Sequence, residues 1–166
     1  MTVSEATLTS TKLIELERLL PDVARQYHRC ILVVGPVRSG KTPLLKELCQ
    51  RQGIPYLNVN LALSQRLLNL TSKERPLRVR RLLDDVIGEQ PGDVIVLDNV
   101  ELLSDPALHQ DPLVCLQALS RNKTLIVAWS GTYDEDGEKG VLTYAEPGHP
   151  EYRCYERPAV IVIVLP

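Results

Sequence analysis

The sequence contains no phenylalanine, and aromatic residues make up only 4% of it. A chain so poor in rings has little with which to stack nucleobases, which argues against a single-stranded nucleic-acid platform. Neither sign of charge dominates: the formal net charge is −2 and the sequence pI is about 5.9. That balance offers no general attraction for polyanions. No apolar run reaches the roughly 18 residues of a membrane span. Met1-Thr2-Val3-Ser4-Glu5 has neither a basic start nor an apolar stretch, so no secretory leader is expected. Cys30, Cys49, Cys115 and Cys154 show no C-x-x-C spacing, and each lies in or beside an apolar segment. His28, His109 and His149 are equally scattered. These spacings favour reduced, mostly buried thiols in a cytoplasmic protein over a metal or disulfide site.

What is present is a core. With 166 residues and 44% hydrophobic content, the chain suits one globular domain over residues 1–166. One complete phosphate-binding motif stands in it: Gly35-Pro36-Val37-Arg38-Ser39-Gly40-Lys41-Thr42. It matches G-x-x-x-x-G-K-[ST] at every fixed position. The apolar run 31–34 precedes it, and a helix-like segment over 44–50, closed by Gly53, follows. Strand, glycine loop and helix are the context that the motif requires. Gly35 and Gly40 allow backbone angles and close approaches that a side chain would forbid. Successive N–H groups then form an anion-binding nest, reinforced by the positive end of the following helix. Lys41 is a mobile charge suited to β- and γ-phosphates, and Thr42 offers a hydroxyl to Mg²⁺. Pro36, Val37, Arg38 and Ser39 contribute mainly backbone. Pro43 lacks an N–H, which costs nothing in a first helical turn.

A second half of the site is legible downstream. Val94-Ile95-Val96-Leu97-Asp98 reads as a strand buried on both faces and ending in an acid. Ligands of open α/β sheets bind beyond the carboxyl ends of strands, which places Asp98 to hold Mg²⁺ directly or through water. The residue after Asp98 is Asn99, where hydrolytic members of this class usually carry Glu. Glu101 is the nearest carboxylate, and it either reaches the γ-phosphate or simply sits in the turn. Ser130, at the end of the strand predicted over 124–129, is a candidate γ-phosphate sensor. Arg121, Arg153 and Arg157 are candidates for reaching a neighbouring subunit's nucleotide. No N-K-x-D motif is present, which leans towards ATP over GTP.

The remaining punctuation gives an open α/β sheet with helices on both faces. Residues 1–10 read as loose. A helix begins near Lys12 within an N-terminal helical segment over 1–28, and Pro21 starts a second helical piece over 22–27. Strands are expected at 54–59, 93–98 and 159–165, and helices at 61–70 and 77–87. A further helix starts at Ser104-Asp105-Pro106, breaks at Pro112 and continues to Leu119. Residues 131–158 form a long insertion, in which 141–145 and 151–155 are expected to pair as a hairpin. Tyr144, Tyr152 and Tyr155 fall in it. It is either a partner-binding arm or a folded-back loop.

Two charged patches complete the reading. Lys73, Arg75, Arg78, Arg80 and Arg81 are the one dense basic cluster, either a DNA contact or an exposed helix face. Asp134, Glu135, Asp136 and Glu138 read as a solvated acidic loop.

These segments resemble an additional-strand, AAA-type P-loop domain over residues 31–165. The resemblance implies strand order 5-1-4-3-2, with the loop strand and the Asp98 strand separated by the fourth. The chain stops after the fifth strand, so the α-helical lid of full AAA+ ATPases is expected to be missing. A narrower resemblance is carried by the stretches 58–68 (Asn58 to Leu68), 74–78 (Glu74 to Arg78), 97–103 (Leu97 to Leu103) and 144–152 (Tyr144 to Tyr152). They are similar to the BrxF family of type 3 BREX, the bacteriophage exclusion systems. Membership implies ATP and Mg²⁺ as cofactors and other BREX proteins as partners in phage defence. A nucleotide-linked homo-oligomer is a further expectation. Two rivals stand beside the ATPase: a nucleotide-stabilised assembly module without catalysis, and a small nucleotide or nucleoside kinase.

Overall fold

The computed structural model of the chain describes residues 2–135 and 140–166. Asp136 and Glu138 of the acidic loop therefore lie outside the described residues. Helix α1 (Val3–Val23) leads into β1 (Cys30–Gly35), α2 (Lys41–Gln52), β2 (Tyr56–Asn58), α3 (Val59–Leu67), α4 (Arg75–Gly88) and β3 (Val94–Asp98). Two short 3₁₀ turns, Glu101–Ser104 and Pro106–Leu108, then precede α5 (Pro112–Leu119) and β4 (Thr124–Ser130). Three short strands follow, β5 (Tyr133–Asp134), β6 (Val141–Tyr144) and β7 (Arg153–Glu156), and β8 (Ile161–Val164) completes the main sheet.

That sheet has the order β2-β3-β4-β1-β8, and every pairing in it is parallel. With β8 as the fifth main strand, this is the 5-1-4-3-2 order expected of the resemblance. The central strands are apolar without interruption because both faces are covered. Leu32, Val34, Ile95, Leu97, Val127 and Trp129 point to the side packed with α3, α4 and α5. Ile31, Val33, Val96, Ile126 and Ile163 point to the opposite side, where Leu13 and Leu16 of α1 and Leu44, Leu45 and Leu48 of α2 meet them. Among the described residues no helix follows β8, and no helix is long and apolar enough to cross a membrane.

Three local expectations need correction. Residues 3–10 are helical rather than loose. Thr2 caps α1: its Oγ1 accepts the Glu5 N–H at 3.3 Å, and Glu5 Oε2 accepts the Thr2 N–H at 2.7 Å. This reciprocal box satisfies two of the N–H groups left over at the helix start. Pro21 does not begin a second helix. It sits inside the last turn of α1, because Leu16 and Val23, two turns apart, are both wholly buried on one face. That burial contributes roughly 1.5–3 kcal/mol per side chain and outweighs one missing N–H. Finally, the piece expected as helix from Ser104 up to the break at Pro112 forms only a 3₁₀ turn, Pro106–Leu108, while the break and the helix to Leu119 fall where expected. Asp105 caps one 3₁₀ turn through Ala107 N–H at 2.9 Å, and Asp111 caps α5 through Val114 N–H at 3.1 Å. Each cap is followed by a proline that suits a first turn, so each opens a new element.

The insertion is a second, antiparallel sheet of order β5-β6-β7. The hairpin expected from the sequence is β6 and β7, paired from Val141–Glu156 to Tyr144–Arg153. Its base folds back on the main sheet. Trp129 of β4 donates its ring N–H to Thr143 O at 2.8 Å, and its ring meets Tyr144 and Tyr155 edge-on at 5.4 and 6.1 Å. The Tyr155 hydroxyl reaches Asp111 Oδ1 at 3.0 Å, fastening β7 to the start of α5.

Candidate nucleotide site

The loop between β1 and α2 has the conformation its glycines permit. Gly40 caps α2 in the left-handed region with φ 90°. Arg38 also adopts positive φ, 66°. A Cβ on Gly35 would meet Ser39 Oγ and press on Leu165 O, so a larger residue there would force Ser39 to rotate away and crowd the end of β8. Lys41 is 9% exposed and folds over the loop, donating to Gly35 O at 2.8 Å and Pro36 O at 2.7 Å. Burial pulls its pKa below the ordinary lysine value, while the charges of Glu101 and Asp98 push it back up. An anionic group in this cradle would take over the donors that the loop carbonyls now occupy.

Thr42, one residue into α2, donates its hydroxyl to Asp98 Oδ2 at 2.6 Å. Asp98 is 4% exposed at the end of β3. Its other oxygen, Oδ1, accepts the Asn99 N–H at 2.8 Å. The fold dictates this meeting. Val96 and Asp98 share the sheet face covered by α2, whose first turn carries Thr42. A hydroxyl and a carboxylate on the rim of a phosphate cradle form the hard-oxygen set that suits Mg²⁺, which needs only one or two protein oxygens beside phosphate. Among the described residues no group of three or more His, Cys, Asp or Glu is placed to hold a metal by itself.

Tyr56 was not a candidate from the sequence. Its hydroxyl donates to Asp98 Oδ2 at 2.7 Å. Burial, and then this bond to the carboxylate, raises its pKa above the ordinary tyrosine value. The parallel register pairs Tyr56 with Val96 and Asn58 with Asp98, so all four residues share the α2 face. The sequence signal was a tyrosine opening the strand next to the acid strand. It becomes readable only once the register is known.

On the other side of the loop lies a cleft of about 550 Å³ lined by Val37, Glu101, Ser130, Tyr144 and the turn between β6 and β7, including Glu146 and His149. Glu101 and Ser130, both sequence candidates, thus face one space with a loop residue. Glu101 Oε2 accepts from Asn60 Nδ2 at 3.1 Å, and Asn60 Oδ1 in turn accepts the Leu102 N–H at 2.8 Å. Asn60, at the start of α3, is a second residue that sequence reasoning did not single out. Asn99 takes a left-handed turn, φ 52°, and its carbonyl accepts the Asn60 N–H at 2.9 Å. Asparagine tolerates that conformation better than most residues.

The arginine candidates are dispersed. Arg153 donates to Gln110 O at 3.0 Å and lies 3.5 Å from Asp111. Arg121 stacks over the Tyr27 ring at 4.7 Å. Arg157 is exposed with φ 49°. In the basic cluster, Arg75 donates to Leu67 O and Leu70 O at 3.1 and 3.2 Å, whereas Lys73, Arg78, Arg80 and Arg81 are exposed. Burial pushes the thiol of Cys30 up to about 12 and that of Cys115 to about 11, which keeps both protonated and inert.

Comparison with known proteins adds the family. The model of the ATPase family associated with various cellular activities (AAA) matches residues 31–121, just over half of the chain. A curated tRNA dimethylallyltransferase from Synechococcus sp. (strain CC9902) is 30% identical over 127 residues, 74% of this chain and 40% of that protein. The crystal structure of a DNA replication initiation factor aligns with a TM-score of 0.50 at 17% identity, over 99% of this chain and 47% of the other. The structure of C. elegans PCH-2 aligns with a TM-score of 0.39 at 20% identity, over 79% of this chain and 37% of the other. The chain therefore spans less than half the length of each of these proteins.

Proposed function

Because this chain belongs to the AAA family of ATPases, we propose that it binds Mg²⁺-ATP on residues 35–42 and serves as the nucleotide-dependent component of a bacterial anti-phage complex of the BREX type. One observation carries the nucleotide reading: the 2.6 Å hydrogen bond from Thr42 to Asp98, which joins the end of the phosphate loop to the acid of β3, across the intervening β4. Lys41 and the loop N–H groups bind the phosphates. Thr42 and Asp98 hold the metal, which neutralises phosphate charge when bound. The resemblance of residues 58–68, 74–78, 97–103 and 144–152 to BrxF supports the defence role. The test of the nucleotide reading is calorimetric titration with Mg²⁺-ATP. Lys41→Ala weakens binding at least about tenfold, roughly 1.4 kcal/mol. A folded Lys41→Ala variant with wild-type affinity overturns the site.

Hydrolysis is the weaker half of the reading. The residue after Asp98 is a left-handed asparagine, and Glu101 is tied to Asn60. Both observations favour an assembly module in which nucleotide supports an interface. Multi-turnover phosphate release, abolished in Lys41→Ala, establishes the ATPase. ATP binding without phosphate release at any protein concentration establishes the module.

A further inference from the structure

Tyr56 belongs to no motif of the phosphate site, yet among the described residues it makes one of three hydrogen bonds to the Asp98 carboxylate. We propose that Tyr56 is a positioning residue for the metal: its hydroxyl holds Asp98 in the one orientation that supports Mg²⁺, and so makes β2 part of the site. The inference rests on the nucleotide reading above.

A carboxylate offers about four acceptor positions. Asp98 Oδ2 accepts Thr42 Oγ1–H at 2.6 Å and Tyr56 O–H at 2.7 Å. Oδ1 accepts the Asn99 N–H at 2.8 Å. With three positions filled on a group only 4% exposed, Asp98 has about one left to offer outward. That is too few for bidentate ligation and enough for a single contact, as in a water held on a metal. The Thr42 proton points to Asp98, which leaves the threonine lone pairs free for the ion. Tyr56 holds the carboxylate so that this division persists. Groups that orient a metal's ligands typically matter by 10- to 100-fold in metal affinity, as a rough guide.

A packing role is the competing explanation. The ring joins the core cluster on the α2 face, and Lys46 Nζ lies 5.4 Å from its centroid. Tyr56→Phe keeps the ring and removes only the hydroxyl, so it separates the two roles. The readout is ATP affinity titrated against Mg²⁺, with affinity in excess chelator as the internal control. The expected result is at least a tenfold rise in the Mg²⁺ needed for half-saturation, with metal-free affinity within about twofold of wild type. In an Asp98→Ala background the same substitution adds no further shift, because Tyr56 acts through that carboxylate. Tyr56→Leu, a second variant lacking the hydroxyl, shows the same Mg²⁺ shift. Equal Mg²⁺ dependence in wild type and Tyr56→Phe overturns the proposal, as does an effect that adds to Asp98→Ala. Wild-type protein that binds no ATP, with or without Mg²⁺, overturns the nucleotide reading itself and this inference with it.

Discussion

Glu101 is where residue chemistry and local backbone pull in different directions. Its carboxylate lines the same cleft as Ser130 and the loop residue Val37, as a water-orienting role would require. It also accepts from Asn60, a bond that locks α3 to the turn after β3. Glu101→Gln preserves size and leaves Thr42 and Asp98 in place, and it removes one of the two negative charges that act on Lys41. If Glu101 orients water, ATP affinity stays within about twofold and phosphate release falls by about a hundredfold or more, the usual scale of a lost general base. Single-turnover and steady-state phosphate assays at matched ATP measure it. Equal turnover assigns the carboxylate to the turn. The loop, Lys41, Thr42 and Asp98 were readable from residue order because the motif is contiguous and its acid ends an apolar strand. Tyr56 and Asn60 were not. Each contacts a residue about 40 positions away, through register and loop geometry that local patterns do not encode.

At the scale of elements, the insertion shows how far periodicity reaches. The β6–β7 hairpin was legible from two short segments flanking the turn residues Glu146, Pro147, Gly148, His149 and Pro150. β5 is two residues long and carried no pattern. The sequence left a folded-back loop open beside a partner-binding arm, because the choice depends on contacts that local patterns do not encode, such as Tyr155 hydroxyl to Asp111 and Trp129 ring N–H to Thr143 O. Gly131 makes that approach possible. It is buried, and a Cβ there would collide with the Thr143 carbonyl and crowd the Trp129 ring nitrogen. Gly131→Ala therefore has to displace β6 or lose that hydrogen bond. Overpacking of this kind costs about 1–3 kcal/mol. For a domain of this size each kcal/mol lowers the melting temperature by about 2–4 °C. A drop of several degrees by calorimetry is the expected result, and an unchanged melting temperature would show that the insertion is not braced at Trp129. The same element logic explains α1. Its helical start was hidden in polar residues, yet Thr2 and Glu5 were already spaced as a capping box.

At the scale of the whole molecule, the strand order places β1 between β4 and β8, with the phosphate loop and the Glu101 cleft at the carboxyl ends of the strands. Loop residues Pro36, Val37, Arg38 and Gly40 are exposed on that edge. We propose that a second subunit closes this edge, and the arginine candidates allow that idea to be tested. Arg153 is held by Gln110 and Asp111 within its own chain, and Arg121 is stacked on Tyr27. Arg157 is exposed beyond β7, which makes it the candidate best able to reach outward. That proposal predicts nucleotide-linked self-association, with any phosphate release per protein rising with protein concentration. An arginine supplied in trans is worth about 10³–10⁵ in rate in other phosphoryl-transfer enzymes. Arg157→Ala should therefore lower any turnover at least tenfold while monomer melting is unchanged. Arg153→Ala should lower the melting temperature as well, since it removes a brace between β7 and α5. Mass measurement with and without Mg²⁺-ATP, paired with specific activity across a concentration series, decides the matter. A mass that stays monomeric and an activity that stays flat would rule out self-closure and leave the exposed loop edge to a different protein.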